Sequence, residues 1–131
     1  MKAQSHRLHH FEDSRQLRVA AYGKRLVETF APKARSTRDG VTKALTDIAA
    51  KAKADDEVFV VLIGHGSFDG KMAAFNLPGP DLTADDYALL LKRFPTQKVT
   101  FVNTASSSGP FIQALAGPAR TIVTATKTGG E

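Results

Sequence analysis

The chain has 131 residues, of which 42% are hydrophobic and 24% charged, with a formal net charge of +5 and no cysteine. This composition excludes a disordered or collagen-like chain, and one domain of this length can bury a core. No apolar run approaches the ~20 residues that cross a bilayer, and no secretory signal is visible, so we expect a cytoplasmic protein without membrane association. The lack of cysteine excludes disulfides, thiolate nucleophiles and thiolate-bound zinc.

Two helices are predicted in the first part of the chain. Residues 1–13 show no hydrophobic period, so we expect a loose basic segment there and a single domain over residues 14–131. Apolar residues at helical spacing predict a helix over residues 14–30, which Pro32 ends. The same spacing predicts a second helix over residues 37–53, which begins with a threonine cap.

The middle of the chain reads as a strand, a glycine-rich loop and a third helix. A continuous β-branched run over residues 57–63 is typical of a strand buried on both faces of a parallel sheet. A glycine-rich loop over residues 64–70 follows, and then a short extended piece over residues 72–76 and a proline-glycine turn at residues 77–80. A capping box predicts a helix over residues 83–93.

The last part of the chain alternates strand, helix and strand. Strands are predicted over residues 98–103 and 120–126, and a short helix with proline in its first turn is predicted over residues 110–115. Strands joined through helices imply right-handed crossovers, so we expect an α/β domain around a mostly parallel sheet.

Two loops with reactive side chains follow the first and second predicted strands, which cover residues 57–63 and 98–103. His65 and Gly66 follow one strand, and the serine loop of residues 106–109 follows the next. In parallel sheets, sites form where loops leave the carboxyl ends of strands. Without cysteine, Ser106 is the candidate nucleophile, His65 the candidate base, and the N–H groups of Gly66 and Ser106 the candidate oxyanion donors. The alternative is structural: a turn histidine and a serine N-cap.

Other motifs carry less chemistry. The glycines of residues 64–70 depart from the dinucleotide-binding pattern, so no cofactor is expected. Residues 105–109 resemble a nucleophile elbow, but no histidine follows them, as an α/β-hydrolase triad requires. His6, His9 and His10 lie near acidic residues, but a polar N-terminal segment is the favoured interpretation, so no metal is expected.

The charge is concentrated in the first half of the chain. Residues 1–55 hold 12 lysines and arginines against 6 acidic residues, whereas residues 56–131 hold 6 against 7. A nucleic-acid-binding protein would have this bias, and its affinity would fall steeply as salt rises. The basic residues are spread along two predicted helices without interleaved aromatic residues, which argues against nucleic-acid binding.

Three segments, in order, resemble the caspase-like peptidases, which include caspases, metacaspases, legumain and gingipains. Residues 58–66, Val-Phe-Val-Val-Leu-Ile-Gly-His-Gly, resemble the strand and His-Gly step of these enzymes. Residues 101–109 resemble their strand followed by Ala-Cys-x-Ser-Gly, with Ser106 in the position of the cysteine. Residues 120–126 resemble the strand whose end lines the substrate groove. The resemblance covers about residues 37–131 and is best to bacterial legumain-like domains.

The resemblance implies a fold, an activity and a set of site residues. The fold would be a three-layer α/β/α sandwich around a mostly parallel sheet, and the activity would be peptide-bond hydrolysis. By position, His65 would assist the nucleophile Ser106, and the N–H groups of Gly66 and Ser106 would form the oxyanion hole. Thr126 and Glu131 would lie near the pocket for the residue before the cut, and the partner would be a peptide or protein.

The sequence also departs from the family. Serine is far less acidic than cysteine, so we expect a weakly active or inactive domain, with a non-catalytic interaction module, or pseudopeptidase, as the alternative. The family pattern begins with a strand before its first helix, and no strand is predicted in this sequence before residue 14. The family pattern also continues, with a further helix and strand, past the third strand predicted here. The resemblance therefore implies an incomplete domain with an exposed sheet edge, which invites self-association.

Overall fold

The computed structural model describes residues 36–127 in full and the backbone of residues 18–22 and 26–29. It contains three helices and eight strands in these residues. In chain order they are β1 (Arg18–Tyr22), β2 (Leu26–Thr29), α1 (Arg38–Lys51), β3 (Glu57–Leu62), β4 (Gly66–Phe68), β5 (Ala73–Phe75), β6 (Leu82–Thr83), α2 (Ala84–Leu91), β7 (Lys98–Asn103), α3 (Pro110–Leu115) and β8 (Arg120–Thr124).

The larger sheet has five strands in the order β2-β1-β3-β7-β8. Strands β3, β7 and β8 are parallel, whereas β1 is antiparallel to both of its neighbours. A smaller antiparallel sheet has the order β4-β5-β6. The α/β class and the parallel part of the sheet are therefore confirmed. No described strand pairs with the outer side of β8, and association through a sheet edge stays a prediction.

The predicted helix over residues 14–30 is wrong. Strands β1 and β2 lie in this range, paired with each other and, through β1, with β3. Two of the residues at helical spacing, Ala20 and Ala21, fit either kind of element. Gly23 lies between the two strands and is typical of a turn, and β-branched residues favour extended backbone. Pairing with the central strand β3 decides between the two structures.

The helices cover one face of the larger sheet. Strand β2 is parallel to β3, because both are antiparallel to β1, and the crossovers from β2 to β3, β7 and β8 all advance in one direction. Right-handed crossovers that advance in one direction place their helices on the same face. The prediction that residues 57–63 are buried on both faces is therefore wrong: in β3, buried and exposed residues alternate. In the described part of the chain, the third layer of a sandwich is not seen.

A single hydrophobic core fills the space between the helices and the covered face. Tyr87 of α2 packs edge-on against Phe101 of β7, with ring centroids 5.3 Å apart, and also contacts Phe111 of α3. All three rings are fully buried. The cluster also includes these residues of α1 and the covered face: Val41, Leu45, Ile48, Val58, Val60, Leu62 and Val99. The smaller sheet contributes Ala73, Phe75 and Leu82 to it.

The predicted element bounds hold closely in the second half of the chain. Strand β7 and helix α3 have the predicted bounds, and β8 ends two residues earlier than predicted. The predicted glycine-rich loop of residues 64–70 contains β4, which the extended piece β5 pairs with. The smaller sheet therefore begins at the glycine of the His-Gly step.

Candidate functional site

The two polar loops predicted from the sequence lie at neighbouring strand ends. Strands β3 and β7 are paired as far as Leu62 and Asn103, and both loops begin after this last pair. Thr104 donates both its backbone N–H, at 3.0 Å, and its hydroxyl, at 2.8 Å, to the carbonyl oxygen of Leu62. These two bonds hold the start of the serine loop against the end of β3.

Gly66 is in direct contact with the serine loop. A Cβ atom at Gly66 would overlap the carbonyl oxygen of Ser106, and it would also come within 3.3 Å of Ala105 Cβ and the Ala74 carbonyl oxygen. The Ser106 hydroxyl donates to the Gly66 carbonyl oxygen at 3.4 Å. The position therefore requires glycine because two backbones approach each other closely there. The structure brings together the Gly66 and Ser106 that the sequence singled out.

The pairing of β4 and β5 sets the direction of the Gly66 peptide groups. The Asn76 N–H bonds the His65 carbonyl oxygen at 2.9 Å, and the next opposed pair is Gly66 with Phe75. Opposed residues in antiparallel strands alternate between hydrogen-bonded and non-hydrogen-bonded pairs. The Gly66 N–H and C=O groups consequently point away from β5, on the side where the Ser106 hydroxyl meets the carbonyl oxygen.

His65 lies at the rim of this arrangement. Its side chain is exposed, and its backbone is held by the bond from Asn76. The Ser106 hydroxyl is bonded to Gly66 and not to the imidazole, so the predicted pair of base and nucleophile is not hydrogen-bonded here. The role of His65 as a base stays a prediction.

Thr126 is tied to the serine loop through Ser108. The Ser108 N–H donates to Thr126 Oγ1 at 3.0 Å, and the Thr126 N–H donates to Ser108 Oγ at 3.3 Å. Ser108 is 1% exposed, so these bonds are shielded from water. Thr126 is therefore bonded to the serine loop two residues after Ser106. Glu131 lies outside the described residues.

Asn103 is a buried polar residue that the sequence analysis did not single out. It is 1% exposed, and its Oδ1 accepts the Ala105 N–H at 3.0 Å. Its carbonyl oxygen accepts the Ala125 N–H at the same distance. Asn103 thus joins β7, the residue before Ser106 and the end of β8. The signal in the sequence is an asparagine at the end of a predicted strand, directly before the serine loop.

The backbone around Ser107 fits a nucleophile elbow only in part. Ser107 has a φ of +56°, which is sparsely populated by residues other than glycine, and it occupies the central position of the elbow-like segment. A nucleophile at Ser107 would need the N–H of Ser108 as an oxyanion donor. That N–H is already bonded to Thr126. The alternative of an α/β-hydrolase elbow therefore lacks its donor.

This site has the parts to bind a carbonyl group more than to attack one. A serine hydroxyl that donates to a carbonyl is not activated, because its proton is not shared with a base. The Gly66 N–H is aimed at the serine loop, as a donor to a bound carbonyl would be. Within the described residues, no group of three histidine or acidic side chains could hold a metal ion. The candidate histidines His6, His9 and His10 lie outside those residues.

Comparisons with known proteins do not add to this geometry. No protein-family model matches the chain, and no curated protein or solved structure is significantly similar to it. None of the helices in residues 36–127 has the length and apolar character needed to cross a membrane.

Proposed function

We propose that the chain is a caspase-like peptidase domain with Ser106 in the nucleophile position. It binds the carbonyl group of a peptide and hydrolyses the peptide bond slowly. The observation that carries the proposal is the backbone contact between Gly66 and Ser106. It joins the His-Gly step to the Ala-Ser-Ser-Ser-Gly loop at two adjacent parallel strand ends. These are the two segments on which the resemblance to the peptidases rests.

In this proposal the peptide carbonyl lies between the two loops. The N–H groups of Gly66 and Ser106 stabilise the developing oxyanion, and each well-aimed donor of this kind contributes about 3 kcal/mol. His65 takes the proton from Ser106 as the hydroxyl attacks the carbonyl carbon, and gives it to the leaving amine as the peptide C–N bond breaks; water then hydrolyses the ester formed on Ser106. Thr126 lies near the side chain before the cut. Hydrolysis is slow because the resting hydroxyl of Ser106 is bonded to the Gly66 carbonyl and is far less acidic than a thiol.

The test restores a thiol at the proposed position. Ser106→Cys is incubated with electrophilic peptide probes, and intact mass measures the covalent adduct. We expect labelling at least ~100-fold faster than in the parent chain, because a thiolate is the stronger nucleophile. His65→Ala in the Ser106→Cys background should slow this labelling. Ser107→Cys is the matched control, since it adds a thiol to the same loop, one residue away.

Two results would contradict the proposal. One is equal labelling of Ser106→Cys and Ser107→Cys, which would mean that only an accessible thiol was detected. The other is labelling of Ser106→Cys that is unaffected by His65→Ala and no faster than that of a free thiol. Either result would show that the two loops do not form a peptidase site.

The second candidate is a pseudopeptidase that binds peptides without cleaving them. The bond from the Ser106 hydroxyl to the Gly66 carbonyl favours it, because this bond occupies the proton that catalysis must remove. Such a protein binds a peptide aldehyde or an intact peptide at the same site but never turns it over. Peptide turnover that requires both His65 and Ser106 would exclude this candidate.

A further inference from the structure

One face of the larger sheet is open and apolar. Residues two apart in a strand share a face, so Phe59, Val61 and Ile63 lie on the side opposite the core. Phe59 is 41% exposed and Ile63 is 53% exposed, and Val123 of β8, on the same side, is 47% exposed. We define the open face by the following residues of the parallel strands: Phe59, Val61, Ile63, Thr100, Val102, Thr121 and Val123.

No residue that the structure describes covers this face. The helices α1, α2 and α3 all pack on the other side, where the buried residues of the sheet lie. Leaving apolar area in water costs about 25 cal/mol per Å², and contiguous exposed apolar patches mark interaction surfaces. The open face is distinct from the loops at the strand ends, which form the candidate site.

The register of β3 and β7 makes this face complementary to itself. On the open side, Glu57 is opposite Lys98, Phe59 is opposite Thr100, and Val61 is opposite Val102. We call each opposed pair a row. The first row pairs unlike charges, the second pairs a large with a small side chain, and the third pairs two valines. Glu57 and Lys98 form an exposed ion pair at 3.9 Å at one end of the rows.

A two-fold axis parallel to the strands, between β3 and β7, would exchange these partners between two copies. Such an axis keeps the strand direction and reverses the lateral order of the strands. Glu57 of one copy then faces Lys98 of the other, and Phe59 faces Thr100. The valine row meets the valine row. Phe59 of β3 then lies over the smaller Thr100 of β7, and no like charges meet in the rows of these two strands.

We propose that the open face is the interface of a symmetric dimer, in which two copies pack sheet against sheet with the helices outside. Sheets that pack in this way lie about 10 Å apart with strands at about −30°. The three parallel strands, at ~4.8 Å spacing and five or six residues long, cover on the order of 300 Å² of each copy. A standard interface covers about 800 Å² per partner, so we expect a weak dimer that dissociates reversibly.

The first experiment measures the oligomeric state of the full chain by sedimentation equilibrium across low to high micromolar concentrations. We expect a reversible monomer–dimer equilibrium. Val102→Asp places a charge at the centre of the open face and should weaken the dimer at least ~100-fold. The circular dichroism spectrum of Val102→Asp shows whether the fold is kept. Thr121→Lys, at the margin of the face, is a milder second variant that should weaken the dimer about tenfold.

The second experiment exchanges charges. Glu57→Lys and Lys98→Glu should each weaken the dimer about tenfold, because each brings like charges together across the axis. The double variant Glu57→Lys with Lys98→Glu restores opposite charges and should restore the dimer. Lys43→Glu is the matched control, since Lys43 forms an exposed pair with Asp47 on α1, in the helix layer.

Three outcomes would overturn the proposal. The first is a chain that stays monomeric at every concentration, with or without residues 1–17. The second is a dimer that none of the open-face variants weakens, as pairing through the edge of β8 would give. The third is a full chain that is monomeric and dimerises only when residues 1–17 are removed. None of these outcomes depends on labelling at Ser106, so failure of the dimer and failure of the peptidase proposal are separately visible.

Discussion

Among single residues, Gly66 is the most constrained by its surroundings. Its backbone meets the Ser106 carbonyl so closely that a methyl group cannot be added without moving one of the two loops. We expect Gly66→Ala to lower the free energy of unfolding by about 1–3 kcal/mol, the usual cost of overpacking, and to abolish labelling of Ser106→Cys. Urea unfolding and intact mass measure the two effects.

The matched control for this prediction is Gly117→Ala. A Cβ at Gly117 comes no closer than 3.5 Å to its nearest neighbour, the Cδ atom of Arg120, which is ordinary van der Waals contact. Gly117→Ala should therefore leave both stability and labelling nearly unchanged. If Gly66→Ala behaved like Gly117→Ala, the two loops would not be in contact.

Tyr87 carries a buried hydroxyl that has no hydrogen-bond partner among the described residues. Burial, and then the charges of Asp86 and Asp81, raises the pKa of Tyr87 above its ordinary value. An unsatisfied buried polar group costs about 1–3 kcal/mol, and removing it leaves the ring packing against Phe101 in place. Tyr87→Phe should therefore keep or raise the midpoint of thermal unfolding. A clear decrease would mean that the hydroxyl is hydrogen-bonded.

At the level of elements, the start of helix α2 depends on Asp86. Its carboxylate accepts the Thr83 N–H at 2.9 Å and both terminal nitrogens of Arg38, from α1, at 3.0 and 3.2 Å. Arg38 also donates to the Asp81 carbonyl oxygen, so one guanidinium joins α1, α2 and the turn before β6. Burial raises the pKa of Asp86, but the bonds from Thr83 and Arg38 outweigh it and lower the pKa.

The lowered pKa of Asp86 makes stability depend on pH. The group contributes stability above its unfolded-state pKa of about 3.9, and this stability is lost as the pH falls through the lower folded-state value. We expect Asp86→Asn to lose about 1–2 kcal/mol near neutral pH and to show a smaller further loss between pH 5 and 3 than the parent chain. Urea unfolding at a series of pH values measures both.

Asp85 provides the control for this pH dependence. It is exposed in the same first turn of α2, next to Asp86 in the sequence. Asp85→Asn should change stability by less than ~0.5 kcal/mol, because a charge near the helix dipole is all that it removes. If both variants lost the same stability, the contribution would come from the dipole and not from the network around Arg38.

Local chemistry decided which elements could be predicted. The Thr83–Asp86 capping box and the proline at the start of α3 are signals contained within four residues, and both mark helix starts in the structure. Strands β1 and β2 have no such signal, because their pattern fits a helix or a hairpin and only pairing with β3 distinguishes the two. Residues 18–29 taken alone do not indicate that β3 is the strand that β1 pairs with.

The candidate site was predictable to the level of loops but not of contacts. That His65 and Ser106 follow neighbouring strands could be predicted from the sequence, because the two strands are consecutive among the predicted strands and are joined through a helix. The bond from Ser106 to the Gly66 carbonyl and the mutual bonds of Ser108 and Thr126 depend on how each loop turns after its strand. Residue type gives these directions only where proline fixes φ or where a turn requires glycine, whereas the serine loop turns at Ser107, a serine with a positive φ.

Considered as a whole molecule, the chain owes its layering to the direction of its crossovers. A sheet acquires helices on both faces only when the order of its strands reverses, and here β3, β7 and β8 follow one another without reversal. The alternation of apolar and polar residues indicates this in β7, where Lys98 and Thr100 alternate with Val99 and Phe101. In β3 the open face is itself apolar, so the sequence resembles that of a strand covered on both sides.

The close contact at Gly66 joins two separate sheets, since Gly66 belongs to the three-stranded sheet and Ser106 follows a strand of the five-stranded one. The smaller sheet is packed into the same hydrophobic core as the larger one, since Ala73, Phe75 and Leu82 are buried in it. A substitution that shifts the ten-residue hairpin of residues 66–75 on this core would therefore also move the Gly66 peptide group relative to Ser106. Carbonyl binding at the proposed site would depend on the packing of the smaller sheet as much as on the two loops themselves.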